Sequence, residues 1–156
     1  MLLNVIYKHM IQLIREMLPK YVNATPFDIQ VLTPMRKGSL GVENLNEMLQ
    51  RYLNPPSPEK NEKETARGRF REGDKVMQIK NNYDKEVFNG DIGIIESFDL
   101  QDRTWLVNFD GRGIEYDVTE LDELVHAYAT TIHKAQGSEY PIVVLPVLMN
   151  HFVMLQ

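Results

Sequence analysis

Apolar residues Leu3, Ile6, Met10, Leu13, Ile14 and Met17 recur three and four apart, with Lys8, Gln12, Arg15 and Glu16 mostly between them. That period predicts an amphipathic helix over residues 2–18, ended by Pro19. Asp28–Thr33 is a short apolar run stopped by Pro34, which predicts a buried strand. A loop, Arg36-Lys37-Gly38-Ser39-Leu40-Gly41, leads to a second helical period beginning near Val42 and running through Leu45, Met48, Leu49 and Tyr52. Asn54-Pro55-Pro56-Ser57-Pro58 cannot continue a helix, and the charge run Glu59–Glu64 predicts a solvated, exposed connection.

The period then changes to two. Lys75–Ile79, Gly93–Phe98, Trp105–Phe109 and Ile114–Val118 alternate, and turn signals at Asn89-Gly90-Asp91, Gln101-Asp102 and Asp110–Gly113 separate them. Four or five short strands within about 55 residues predict a small β-barrel of SH3-like size. After residue 123 the α/β grammar is expected to return: Leu124–Ala129, a polar stretch Thr130–Glu139, then Ile142–Val147 as a fully buried parallel strand. The predicted fold class is therefore α/β, one domain interrupted by an inserted barrel. The expected boundaries are 1–66, 67–122 and 123–156.

With 156 residues, 43% hydrophobic and 25% charged, the chain has room for one or two modest cores. It has no cysteine, so disulfides and cysteine metal sites are excluded. No apolar run approaches the roughly 20 residues that span a bilayer. Its start lacks signal-peptide features, and a cytoplasmic location without membrane association is expected. The net charge is −5, which opposes nucleic-acid binding by whole-body charge. Any such contact must come from a local groove. Residues 67–85 are the candidate, with Arg67, Arg69, Arg71, Lys75, Lys80 and Lys85 against Glu72, Asp74 and Asp84.

Candidate chemistry concentrates in Tyr128-Ala129-Thr130-Thr131-Ile132-His133-Lys134-Ala135-Gln136-Gly137-Ser138-Glu139-Tyr140. Hydroxyls and amides at a strand-to-helix turn form a phosphate-sized anion site, and Thr130, Thr131 and His133 can serve one. Gly137 permits close backbone approach to a nucleotide phosphate, and Glu139 can accept from a ribose hydroxyl. Threonine and histidine before a helix also serve merely as caps. His133 has no second histidine at ligand spacing, so no metal site is expected. Arg36 and Lys37 sit where a strand tip meets a loop; they suit DNA phosphates or a plain solvated loop equally. Asn46 reads as a structural hydrogen bonder. Tyr83 can stack on a base or pack on the barrel.

The Thr130–Glu139 run resembles motif V of superfamily 1 helicases. Val31–Gln50 resembles the strand, loop and helix after motif IV in RecD/TraA-type helicases. Gly73–Asp84 with Val87–Gly93 resembles the SH3-like insertion of that family. The three segments follow the family's order, and the likeness covers nearly all of the chain from residue 28, with residues 1–27 matching in pattern alone. The resemblance implies a partial RecA-like domain 2 of an ATP-dependent 5′–3′ DNA helicase, with DNA repair, recombination and conjugation all open as its pathway. It implies nucleotide contact at Gln136, Gly137, Ser138 and Glu139. It implies single-stranded DNA contact at Arg36, Lys37, Lys80, Tyr83, Thr130, Thr131, His133 and Lys134.

No Gly-x-x-x-x-Gly-Lys-(Ser/Thr) run occurs, nor does an acidic pair that would hold magnesium after a buried strand. The resemblance places motif VI, with its arginine finger, beyond Gln156. ATP and Mg2+ are thus expected to serve an intact enzyme with a missing N-terminal RecA-like domain. The isolated piece is expected to be inactive and without cofactors, and its cut edge is a candidate for non-physiological dimerisation. Two other readings are an SH3-like module binding protein or nucleic acid, and a small hydrolase using His133 and Glu139, which lacks a nucleophile.

Overall fold

The computed structural model describes residues 2–18, 20, 25–136, 140 and 142–146. The chain divides into two compact units, Met1–Leu53 with Tyr128–Gln156, and Asn54–Ala127.

In the first unit, helix α1 (Leu2–Gln12) continues into a single wide turn at Leu13–Met17, where the Leu18 amide reaches back to the Leu13 carbonyl. That five-residue span shifts the helical face by a residue. Met10 and Ile14 are buried, but Met17 is 39% exposed, although simple periodicity put it on the buried face. Strand β1 (Ile29–Thr33) is central in a parallel sheet, between β9 (Ala129–Thr131) and β10 (Ile142–Val144). Helix α2 (Val42–Leu53) buries Leu45, Asn46, Met48 and Leu49, the three-and-four spacing of a helix lying on a sheet. Ile29, Val31, Leu40, Leu45, Leu49, Tyr128 and Ala129 share its core with Met10 and Ile14. The expectation that Ile142–Val147 is fully buried is corrected. Strand β10 is an edge among the described residues, pairing with β1 on one side, and Val143 and Leu145 are 48% and 42% exposed. Val147 lies outside the described residues, as does Pro19.

The second unit contains a hairpin, β2 (Glu62–Thr65) and β3 (Gly68–Arg71). Beside it in sequence are the strands of a five-stranded antiparallel sheet ordered β7-β6-β5-β4-β8. These are β4 (Lys75–Gln78), β5 (Ile92–Asp99), β6 (Thr104–Phe109), β7 (Arg112–Asp117) and β8 (Leu124–His126). Alternation puts Trp105, Val107 and Phe109 inward, where they meet Phe70, Val76, Ile95, Tyr116 and Leu124. Trp105 stacks on Phe98 at 4.6 Å between ring centres.

Three sequence-based expectations change here. First, the charge run Glu59–Glu64 is not a free connection. Glu62 and Glu64 lie opposite Arg71 and Arg69, so the like charges on one face of the strand are offset across the pair. Arg71 donates to Glu62 at 2.6 Å, and Arg69 to Glu64 at 2.8 Å. Second, Leu124–His126 belongs to the barrel, because Val76, Met77 and Gln78 pair with His126, Val125 and Leu124. The expected boundaries at 66/67 and 122/123 therefore fall inside the observed unit Asn54–Ala127. Third, four of the six basic residues in 67–85 are buried or ion-paired: Arg69, Arg71, Lys75 and Lys85. Arg67 donates to the Asp122 carbonyl, and Arg69 and Arg71 are paired. Lys75 is buried, and Lys85 donates to the Glu115 carbonyl 3.3 Å from Glu120. Of the six cations, Arg67 and Lys80 are exposed without a side-chain ion pair among the described residues.

Both ends of this unit meet one buried carboxylate. Asp74 accepts from Asn54 Nδ2 at 2.8 Å and from the Arg71 amide at 2.8 Å, and His126 Nε2 lies 3.6 Å away. Asn54 is in turn held by Lys60 at 2.6 Å.

Candidate nucleic-acid interface

Parallel strands send their carboxyl ends in one direction, and loops gather there. Strands β1 and β9 pair with Thr33 beside Thr131, and the Ile132 amide donates to the Thr33 carbonyl at 3.0 Å. The loop after β1, carrying Arg36 and Lys37, and the loop after β9, carrying Thr131, His133 and Lys134, thus leave the sheet side by side.

The first loop is built by its own bonds. Thr33 Oγ1 donates to the Leu40 carbonyl at 2.7 Å and accepts from the Met35 amide. Asn44 Nδ2 donates to the Gly38 carbonyl at 3.0 Å, and the Tyr7 hydroxyl donates to the Ser39 carbonyl. Burial raises the Tyr7 phenol above its ordinary range. Gly41 is required by a close approach: a Cβ there would lie 2.5 Å from the Lys37 backbone. The Val42 and Glu43 amides donate to the Met35 and Arg36 carbonyls, so the start of α2 is satisfied by its own loop. The Arg36 and Lys37 side chains on this loop are exposed.

The second loop starts with an alternation. Thr130 is buried, 5% exposed, and its hydroxyl has no hydrogen-bond partner among the described residues. Thr131 is half-buried and its Oγ1 accepts from the Lys134 amide at 3.0 Å. This is the capping role that threonine plays elsewhere. A hydroxyl that accepts one bond still has its proton to donate outward. The Ala135 and Gln136 amides donate to the Thr131 and His133 carbonyls, closing a turn that leaves His133 and Gln136 exposed. The structure brings Thr131, His133 and Lys134 onto the same turn, with Thr130 beneath the surface. Gly137, Ser138 and Glu139 lie outside the described residues.

Asn46 joins the two parts. Its Nδ2 donates to the Ala129 carbonyl at 2.9 Å and its Oδ1 accepts from the Ala129 amide at 2.8 Å. The structural role expected of Asn46 is the one observed.

In the other unit, Lys80 and Tyr83 occupy an exposed turn. Tyr83 is 74% exposed and does not pack into the barrel. It meets Phe88, 41% exposed, edge to face at 5.7 Å. Phe88 was not foreseen as a site residue. Its signal was the alternation at Val87-Phe88, where Val87 enters the core and Phe88 faces out. The turn is held by mutual Asn82–Val87 backbone bonds and by the Lys85 amide on Asn82 Oδ1. Among the described residues no group of three or more His, Cys, Asp or Glu side chains is placed to hold a metal. No helix among them is long and apolar enough to cross a membrane.

A parallel α/β unit is thus interrupted in sequence by an antiparallel β unit, and two loops leave the ends of its paired strands side by side. Residues 45–109 match the ATP-dependent RecD-like DNA helicase SH3 domain, and residues 126–156 match the UvrD-like helicase C-terminal domain. The ATP-dependent RecD2 DNA helicase of Deinococcus radiodurans is 42% identical over 130 residues, 83% of this chain and 18% of that protein. The RecBCD enzyme subunit RecD of Haemophilus influenzae is 29% identical over 78% of this chain and 18% of its own length. A solved structure of Pif1 helicase from Bacteroides in complex with ADP-AlF3 and ssDNA shares the fold. Its TM-score is 0.54 at 20% identity, covering 92% of this chain and 41% of that one. Both domain matches and these relatives make the chain similar to RecD-like DNA helicases. It spans about a fifth of the length of the curated relatives named here, 18% in each case.

Proposed function

We propose that the chain is the second motor half of an ATP-dependent 5′–3′ DNA helicase, gripping single-stranded DNA and closing over ATP bound to a first RecA-like domain. The observation that carries this is the in-register pairing of Thr33 with Thr131, which sets two polar loops together at the carboxyl edge of a parallel sheet. In this reading Arg36, Lys37 and Lys134 meet phosphates by charge. Thr131 and His133 meet them by hydrogen bonds, and Lys80 and Tyr83 contact the strand from the barrel. Thr130, being buried, supports the turn from below.

Gln136, on the same turn as His133, leads into Gly137, Ser138 and Glu139, which are assigned to the nucleotide. ATP supplies the free energy of strand movement, and its Mg2+ is held by phosphates and by the first motor domain. Nucleotide and DNA contacts then lie on adjoining residues, so domain closure shifts the grip on DNA directly. A cytoplasmic location and work in DNA repair or recombination belong to the same reading.

The test is the double substitution Thr131→Ala with His133→Ala in the full-length helicase. The single-stranded DNA concentration for half-maximal ATPase stimulation should rise about tenfold, the loss of roughly 1.4 kcal/mol of binding. Unaltered stimulation would remove the loop after β9 from the DNA path.

A further inference from the structure

A strand turns the N–H and C=O of successive residues to alternate sides. The Tyr128 carbonyl and the Ile132 amide face β1, where they bond Val31 and Thr33. Ala129 therefore presents its amide and carbonyl to the opposite side of β9, where Asn46 takes both. The Asn46 amide acts there as one residue of a further strand. Asn46 is 6% exposed on a helix face whose other buried members, Leu45, Met48 and Leu49, are apolar. A leucine at that position would bury as well but leave two main-chain groups of Ala129 without partners.

Asn46 lies about one helical turn from the start of α2. That start is bonded through Val42, Glu43 and Asn44 to the loop of Arg36 and Lys37. Ala129 lies two residues before Thr131 on the strand that launches the other loop. We infer that Asn46 is a positioning residue: by pairing with both main-chain groups of Ala129 it locks the Arg36 loop to the Thr131–His133 loop, so the two act on a single-stranded DNA backbone as one unit. The inference rests on the proposed DNA-binding reading of these loops.

Its consequence is energetic coupling across the clamp. Groups held by one rigid frame lose binding non-additively when removed singly and together. Asn46→Asp keeps the acceptor for the Ala129 amide but sets a carboxylate oxygen against the Ala129 carbonyl. It therefore breaks the clamp with almost no change of volume.

The experiment is a double-mutant cycle, Arg36→Ala with His133→Ala, on single-stranded oligonucleotide binding by the full chain at low salt. It is repeated in an Asn46→Asp background and in a Leu49→Ala background that loosens the same core without touching the clamp. The native and Leu49→Ala backgrounds should give a coupling factor of about threefold or more, and Asn46→Asp a factor near one. Coupling that persists in Asn46→Asp overturns the clamp. Single variants that bind as tightly as the parent overturn the DNA-binding reading beneath it, a separate outcome. If Asn46→Asp is unfolded by circular dichroism, Asn46→Ser takes its place in the same cycle: a coupling factor near one supports the clamp, and persistent coupling overturns it.

Discussion

Arg71 Nε donates to Glu62 Oε1 at 2.6 Å across the β2–β3 hairpin, while Arg71 Nη1 donates to the Asn54 carbonyl at 2.7 Å. One planar guanidinium thus ties the first residue of the barrel unit to its hairpin. A lysine cannot reproduce this, because its single ammonium lacks the spaced donors of the fork. Removing one member of a buried pair strands the other. Arg71→Ala should lower unfolding free energy by about 3 kcal/mol, and Arg71→Lys by a large part of that. Urea unfolding followed by Trp105 fluorescence reads both, and an unchanged midpoint would show the hairpin to be dispensable to the barrel.

Tyr116 gives the barrel an alkaline weakness. Its hydroxyl donates to Gln78 Oε1 at 2.6 Å and is fully buried. Burial raises its pKa far above the ordinary 10.0, and the Glu123, Glu120 and Asp91 carboxylates raise it further. The folded protein keeps this proton at a pH where the unfolded chain releases it. The stability it contributes is complete below pH 10 and is lost as pH climbs above the unfolded value, by up to about 1.4 kcal/mol per pH unit. Unfolding free energy measured from pH 8 to 11 should fall steeply in the native chain. Tyr116→Phe should be less stable at pH 8 and show a shallower alkaline slope; equal slopes would assign the alkaline loss to other groups.

Tyr83 offers a separation of binding from stability. With the residue 74% exposed, Tyr83→Ala should leave the melting temperature unchanged. Loss of a stacked base costs about 1–3 kcal/mol, so single-stranded DNA affinity should fall roughly 5- to 160-fold. Anisotropy titration alongside thermal melting checks this. Full affinity in the variant would turn the Tyr83–Phe88 pair away from the DNA strand.

Where a side chain's fate depended on its neighbours in sequence, the sequence was a sufficient guide. The three-and-four spacing of Leu45, Met48 and Leu49 marked α2, and the alternation of Trp105, Val107 and Phe109 marked an inward-facing strand, because each period follows from backbone geometry alone. The change from one period to the other marked a barrel set within an α/β layer. The run from Thr130 to Glu139 carried the family resemblance, and the loop of Arg36 and Lys37 announced its exposure through Gly38, Ser39 and Gly41.

Tertiary structure decided what depended on partners far along the chain. Glu62–Thr65 became a strand because Arg69 and Arg71 lie across from it, a cancellation invisible within either segment. The same pairing set those arginines against carboxylates. Leu124–His126 joined the barrel because β4 offered it an open edge, and Val143 stayed exposed because β10 is paired on one side among the described residues. Thr130 went inside while His133 came out because β9 ends at Thr131 and the chain turns there. Asn46 found its role at Ala129, 83 residues away, since an unpaired strand edge draws whatever donor and acceptor the fold brings beside it.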